Sequence, residues 1–321
     1  MTGTATAAPA VTALDLRFDV APLAAEVRRL RERAWRAQRP YGQNGLMPTT
    51  VADWTILPLR SPGGDPARTD PGGAGLLPFA DTPHAADCPA LGAVMAAVPA
   101  PLRAVRLMAL GPGAQSPEHR DSKIGLPYGT LRLHVPITTN PGAVVVIEGA
   151  AHHWEPGRLW YGDFNRPHLV RNTGDDARIH LVLDTLVTPE LLRLFPADVR
   201  DRLPIGEVLF ARPPVPLPER ELAGLRRRFM LPAAFRDWSE DEVSSGPDLP
   251  AQIVIVDGEP VLEVAGEPAF GLVHLGAGEF RLRGWSEERT LHIASDGRIR
   301  MWVRAGRRLT CWERPSDPCA P

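Results

Sequence analysis

Read for periodicity, the chain changes character several times. Residues 22–38 (PLAAEVRRLRERAWRAQ) place Leu23, Val27, Leu30 and Ala34 on one face at helical spacing and predict an amphipathic helix. Residues 60–76 (RSPGGDPARTDPGGAGL) are dense in Gly, Pro and Asp, which break periodic structure, and predict a long loop. Between 103 and 187 the period shortens to two. RAVRLMAL (103–110), GTLRLHVPI (129–137), AVVVIEG (143–149), GRLWYG (157–162), HLVRNT (168–173) and ARIHLVLDTLV (177–187) read as short strands. NPG (140–142) and NTGDD (172–176) between them are turn chemistry. So many short strands in so little chain predict an antiparallel barrel or sandwich.

Helical pattern returns in TPELLRLF (188–195) and PERELAGLRRRFM (218–230), on either side of the proline-rich ARPPVPLP (211–218). SSGPDLP (244–250) reads as a linker. Beyond it, QIVIV and PVLEV flank Asp257-Gly258, and TLHIA and RIRMWV flank Asp296-Gly297, both two-residue hairpin signals. The division that follows is a leader over 1–20, expected to be disordered, and a β-barrel domain with N-terminal helices and loops over 21–195. A helical, proline-rich connection over 196–250 and a small β module over 251–321 complete it. No fixed-period repeat or coiled-coil heptad is present.

Composition narrows the classes. Hydrophobic content of 44% and charged content of 23% are those of an ordinary globular chain. A net charge of −2 offers no basic excess with which to grip a phosphate backbone, so no nucleic-acid partner is expected. No apolar stretch approaches the ~20 residues that cross a bilayer, and the N-terminus lacks a basic patch followed by an apolar run. Cys88, Cys311 and Cys319 show no C-x-x-C spacing. Neither a zinc site nor a disulfide framework is expected, and free thiols in a cytoplasmic protein are. Oligomeric state is left open.

SPEHRDSKIG (116–125) contains His-Arg-Asp, which opens the catalytic loop of protein kinases, and GDFNRPH (162–168) echoes a kinase metal motif. The kinase reading fails on residue types. The single lysine, Lys123, lies after the motif, Leu126 stands where Asn is required, and Asn165 rather than Gly follows Asp163-Phe164. The same residues suit a metal better. His119 and Asp121 are spaced H-x-D, so on an extended segment both point the same way, and His168 follows 47 residues after Asp121. Two histidines and one carboxylate with open positions form the facial triad of non-haem Fe(II) oxygenases. An H-x-D in a chain with nine histidines is common by itself. Two further features raise its weight. Arg178, on the next strand, offers the always-charged fork that holds a dicarboxylate. TLRLHVPI also turns Arg132 and His134 to one side of a strand, which is odd as core and sensible as a site.

In that order, PGAQSPEHRD, TLRLHVPITTNP, GDFNRPHLVRNTG and RIHLVLD resemble the aspartyl/asparaginyl β-hydroxylase family of Fe(II)/2-oxoglutarate dioxygenases, in its bacterial, proline cis-hydroxylase-like branch. The match covers about residues 100–190. The resemblance implies a mainly β fold with flanking helices, built on a double-stranded β-helix (cupin-like jelly-roll) barrel, so that residues 21–195 would be the dioxygenase domain. It makes His119, Asp121 and His168 the iron ligands and assigns Arg178 to the distal carboxylate of 2-oxoglutarate. His134 would hold the carboxylate near the metal, and Arg132 a carboxylate of the substrate. Fe(II) is implied as cofactor, with 2-oxoglutarate and O₂ as co-substrates. Two departures stand out. Asp121 is retained, whereas animal members of the family lack that ligand, and its retention favours hydroxylation over halogenation. Near Met108, where the family carries a small hydroxyl residue, there is none.

The implied activity is hydroxylation of an amino-acid side chain, with β-hydroxylation of an aspartate-like residue, free or in a small biosynthetic peptide, as the first reading. Free proline or another free amino acid is the alternative. A cupin-type binding or sensor protein without turnover is the alternative of another class. Other candidates have plain readings. His152-His153-Trp154 suits a surface turn with a packing tryptophan, Trp160 and Phe164 suit barrel packing, Asp163 and Asn172 suit turns, and His180 suits the core.

Overall fold

The structure is a computed structural model that describes residues 8–39, 41–42, 45–46, 53–238 and 246–319. It falls into two compact units. The first comprises residues up to Gly72 with Phe79–Leu126 and Thr130–Ile205, the second Gly73–Pro78, Pro127–Gly129 and the residues from Gly206 on.

In the first unit the strands are β1 (Val11–Arg17), β2 (Arg36–Ala37), β3 (Tyr41–Gly42), β4 (Gly45–Leu46), β5 (Trp54–Pro62), β6 (Phe79–Asp81), β7 (Leu102–Leu110), β8 (Thr130–Thr138), β9 (Ala143–Ile147), β10 (Ala150–His152), β11 (Arg158–Gly162), β12 (His168–Asn172) and β13 (Arg178–Leu186). The larger sheet runs β1-β11-β8-β13-β7-β5-β2, with β6 beside β5, and the smaller runs β10-β9-β12. Antiparallel bridges from Gln115 to Arg171 and from His119 to His168 extend the smaller sheet by one more segment. Side chains of both sheets meet in one cluster that includes Ile56, Met108 and Val182 from the larger and Val145, Ile147 and Val170 from the smaller. This is the double-stranded β-helix that the period-two segments and the resemblance imply.

The pairing of β8, β13 and β7 sorts the side chains into two faces. Leu133, Val135, Leu181, Leu183, Val105 and Leu107 alternate with the site residues and are all buried. Alternation puts Arg106, Met108 and Leu110 of β7, Arg132 and His134 of β8, and Arg178, His180, Val182 and Asp184 of β13 on the other face, the one that looks into the barrel. On these three strands the outward face is aliphatic, and the polar side chains stand among apolar ones on the inward face.

Helix α1 (Val20–Leu30) lies against β8 and buries Leu23, Val27 and Leu30, as its spacing predicts. It ends at Leu30, well short of the predicted 38, and β2 follows. Its Glu26 is buried and accepts from Ala90 N and Leu91 N at 2.9 Å each. Those amides open α2 (Pro89–Ala97), whose N-cap residue Cys88 gives no side-chain cap. The carboxylate therefore satisfies two amides that a helix start leaves without partners.

The expected disordered leader is corrected over residues 11–20. VTALDLR pairs with β11 as an edge strand, burying Thr12 and Leu14, and Val20 already belongs to α1. Residues 1–7 of that leader lie outside the described residues.

The expected connection over 196–250 also reads differently. After the short helix α3 (Pro189–Leu192), two more, α4 (Ala197–Arg200) and α5 (Glu219–Leu222), carry its helical character. The second half of PERELAGLRRRFM is instead strand β14 (Arg227–Leu231), which buries Phe229 and Leu231 with the period of two. With it the second unit contains β15 (Leu249–Val256), β16 (Glu259–Val264), β17 (Glu267–Gly276), β18 (Glu279–Leu282), β19 (Arg289–Ile293), β20 (Arg298–Ala305), β21 (Arg308–Pro315) and β22 (Asp317–Pro318). They form an antiparallel meander in which β22, continuing β21 after Ser316, pairs with β14 and closes the sheet. Phe229, Ile253, Leu262, Phe280, Leu291 and Met301 are among the side chains of its apolar core.

Asp257-Gly258 forms the predicted two-residue hairpin, with both residues at positive φ. Asp296-Gly297 does not. Ala294 N bonds to Arg298 O, so the loop has a third residue, with Gly297 at φ 79° in the left-handed position.

Replacing Glu26 with Ala leaves the buried amide of Leu91 and the half-buried amide of Ala90 without this partner and should lower the unfolding free energy by about 1–3 kcal/mol. Urea denaturation followed by circular dichroism measures it; an unchanged midpoint would show that water replaces the carboxylate at no cost.

Candidate metal centre

His119 and His168 are directly opposed residues of an antiparallel pair. His119 N donates to His168 O and His168 N donates to His119 O, both at 2.9 Å. Opposed residues of such a pair project to the same face, and here the ring centroids are 4.3 Å apart. Asp121 lies two residues on, beyond the paired segment, with its N bonded to Phe164 O at 2.8 Å. Its Oδ1 is 3.7 Å from His119 Nε2 and its Oδ2 is 4.0 Å from His168 Nε2. One ligand atom from each of the three residues lies within 4.8 Å of the others, the spacing at which a single ion can be held.

Backbone carbonyls decide which imidazole nitrogen is available. His119 Nδ1 lies 2.9 Å from Pro117 O, and His168 Nδ1 lies 2.9 Å from Arg166 O. A carbonyl can only accept, so each Nδ1 carries the proton and each Nε2 presents its lone pair toward Asp121. Such carbonyl bonds are how proteins orient metal-binding imidazoles. Burial lowers the pKa of His168, against the opposing pull of Asp121, which keeps the ring in its neutral form. Two neutral imidazole nitrogens and one carboxylate oxygen on one side of a point fit Fe(II).

Arg132 reaches the triad from β8. Its Nη1 donates to Asp121 Oδ2 at 2.5 Å. The other edge of its fork donates to Asp184, Nε to Oδ1 at 2.6 Å and Nη2 to Oδ2 at 3.0 Å. Arg106 Nη2 donates to the same Asp184 Oδ2 at 3.0 Å. Burial pushes the Asp184 pKa upward, but Arg132 and Arg106 outweigh it and hold the carboxyl below its usual value. Arg132 was expected to grip a substrate carboxylate; here both edges of its fork meet acids of the chain itself.

Arg178 differs in every respect. It is fully buried, and among the described residues no carboxylate lies within salt-bridge distance. Burial alone pulls its pKa down to about 9. Its partner is His180, whose Nδ1 accepts from Arg178 Nη2 at 2.9 Å and lies 3.4 Å from His134 Nδ1. Since His180 Nδ1 accepts from the arginine, His134 Nδ1 is the donor in the second contact. His134 Nε2 then carries a lone pair; it is buried and without a protein partner. Burial, followed by Arg178 and Arg132, pushes the His134 pKa well down.

His119, Asp121 and His168 are thus brought together, and His134 and Arg178 are joined through His180. His180 sits in the core with partners, as its apolar flanks predict. Phe164 packs on His134 and His168, with ring centroids 5.1 and 4.9 Å apart, and Trp160 stacks on Trp154. Asp163 bonds Arg166, whereas Asn172 is more than a turn residue. It is fully buried and its amide donates to Leu110 O, Gly111 O and Asp176 O. Trp154 is the packing tryptophan expected of its turn. It is buried, with its ring 5.2 Å from that of His134. Asp184 and Arg106 were missed in the sequence, although both share the inward parity of Arg178 and Arg132.

With this geometry in view, the sequence model of the aspartyl/asparaginyl β-hydroxylase family matches residues 18–187, more than half of the chain. The chain belongs to that family. Membership makes it a hydroxylase of the Fe(II)- and 2-oxoglutarate-dependent dioxygenase class, with O₂ as the further co-substrate. No curated protein matches its sequence.

Among solved structures, a 2-oxoglutarate-Fe(II) oxygenase family oxidoreductase from Burkholderia pseudomallei overlaps it at 14% identity and a TM-score of 0.33, over 51% of this chain and 78% of the other. A prolyl-4-hydroxylase from Pseudomonas putida overlaps at 18% identity and a TM-score of 0.32, over 55% and 90%. A predicted oxalate decarboxylase from Thermotoga maritima overlaps at 18% identity and a TM-score of 0.21, over 30% and 73%. At these scores none bears on the activity of this family member. No helix among its described residues is long and apolar enough to cross a membrane, and its three cysteines are free.

Because Arg178 is a buried charge without an acid partner, replacing it with Met should leave the ligand-free protein as stable or more so, by about 1–3 kcal/mol. Thermal unfolding of wild type and Arg178→Met reads this directly; a large loss of stability in the variant would mean that the charge is compensated within the protein.

Proposed function

We propose that this chain hydroxylates an amino-acid side chain, with the β-carbon of an aspartate-like residue, free or in a small peptide, as its first target. The observation that carries the reading is one site that combines a His119–Asp121–His168 donor set with a buried cation, Arg178, lacking any acid of its own. His119, Asp121 and His168 hold the iron. Arg178 holds the distal carboxylate of 2-oxoglutarate, a planar fork meeting a planar acid in a site that water does not screen. His134 stands on the same inward face, and would meet the end of 2-oxoglutarate nearer the metal in the tautomer whose Nε2 carries the proton.

When bound, the iron supplies the oxidising chemistry that couples decarboxylation of 2-oxoglutarate to hydroxylation of the substrate carbon. The protein's part is to hold three donors on one side, anchor the diacid at its far end, and keep the interior dry with Trp154, Phe164 and the aliphatic side chains around them. The aspartate-like target is supported by the family that the sequence matches. Arg132 no longer supports it, since its fork is committed to Asp184 and Asp121.

The test is succinate formation from 2-oxoglutarate with Fe(II) and ascorbate in air. Wild type and His168→Ala would be compared over a panel of free aspartate, asparagine and proline and an aspartate-containing peptide. Succinate should rise with an aspartate-like member, fall to background in the variant, and accompany a product heavier by one oxygen atom. A response to free proline alone would move the target to a free cyclic amino acid. Untouched 2-oxoglutarate in the presence of bound iron would make the barrel a binding module and overturn the reading.

A further inference from the structure

We propose that Arg132, locked in place by Asp184 and Arg106, is the positioning residue that fixes how Asp121 meets the metal. The inference rests on the reading of His119, Asp121 and His168 as the ligands. The two histidines need no such help, because paired backbone and a carbonyl at each Nδ1 set their direction. Asp121 has neither. It stands outside any strand, in the turn-rich stretch that leads to Thr130. Its carboxylate is oriented by Arg132, whose Nη1 occupies Oδ2 at 2.5 Å, while Oδ1 is the oxygen nearest His119 Nε2.

A guanidinium has five donors and no lone pair, so the oxygen it holds has less capacity left for a metal. Oδ1 becomes the donor oxygen, and Asp121 is kept from closing over the ion with both oxygens. That preserves the positions on the open side that a two-point co-substrate and O₂ require.

Arg132 can do this because it is itself fixed. Asp184 takes its Nε and Nη2 together, and Arg106 Nη2 holds Asp184 from the other side, with Arg106 Nη1 reaching Thr69 O at 3.5 Å. Arg106, Arg132 and Asp184 stand on β7, β8 and β13, adjacent strands of the larger sheet, and all three are buried. The chain of ion pairs thus transfers the rigidity of a sheet to a ligand on a loop. Lysine could not replace the arginine, since one ammonium cannot span two carboxylates on opposite edges.

The test uses Co(II) alone, without co-substrate, reading both affinity and the visible ligand-field spectrum. Wild type, Arg132→Lys, Asp184→Asn and His168→Ala are compared, with the melting temperature of each metal-free protein. His168→Ala should lose binding. Arg132→Lys, which keeps the positive charge opposite Asp184, should bind Co(II) on the order of 10- to 100-fold more weakly, with a shifted spectrum and a near-normal melting temperature. Asp184→Asn should shift the same spectrum although Asp184 does not touch Asp121, an effect a merely structural role would not produce. Wild-type affinity and spectrum in Arg132→Lys, with binding lost in His168→Ala, would overturn the positioning role and leave the ligand assignment standing. Binding retained in His168→Ala would overturn the assignment and the proposal together.

Discussion

Asp184 lies between Arg106 and Arg132, is 1% exposed, and accepts from both guanidinium groups within 3.0 Å. Without it, two cations would share the inside of a barrel with no anion on the strands that carry them. Burying such charges costs several kcal/mol each unless they are paired and hydrogen-bonded. An inward face that mixes polar and apolar side chains is tenable because Asp184, with Asp121 on the far side of Arg132, compensates the arginines that β7 and β8 turn inward. Asp184 therefore sets what the barrel interior can contain.

The metal centre follows from a second backbone constraint. Residues 115–119 join the smaller sheet opposite β12, and the register that makes His119 the partner of His168 is part of the fold itself. A slip of one residue would send one imidazole to the opposite face. The alternation in GDFNRPHLVRN keeps His168 and Val170 inside and Arg171 outside, so the hydrophobic pattern of β12 also protects the ligand geometry. Packing and chemistry are thus specified by the same residues. Substitutions that loosen the smaller sheet should be felt first at the ligands.

Much of this was legible because it rests on short-range pattern. H-x-D spacing, period-two segments and an arginine ten residues after His168 are all local, and they led to the barrel, the triad and Arg178. What was not legible depends on register between distant strands. Arg132 and Asp184 are 52 residues apart, and their pairing follows from the alignment of β8 with β13, which no local window contains. Read without Asp184, Arg132 looks free to bind a substrate. Strand β1 was hidden for the same reason. VTALDLR alternates, but its partner β11 lies far along the chain and its N-terminal neighbours are small residues that suggest a leader. β14 was misread because RRFML continues a helical run of charged and apolar residues past Gly224, and only pairing with β15 makes it a strand.

Strand β13 carries Arg178 at one end and Asp184 six residues on, about 20 Å away at the usual strand rise. At the Asp184 end the charges cancel within the protein. At the Arg178 end no carboxylate among the described residues lies within salt-bridge distance, and burial alone depresses the arginine's pKa. A cation left in that state is an unfavourable charge that an incoming carboxylate can compensate, so part of the affinity for a diacid is built in before the ligand arrives. The asymmetry also gives direction. An acid entering the barrel is drawn to Arg178 rather than to Arg132, because Arg132 already has two carboxylates and a third would meet their repulsion. On the proposed roles, the internal ion pairs would orient a metal ligand and also leave the co-substrate's anchoring acid to the end of the strand where Arg178 lies.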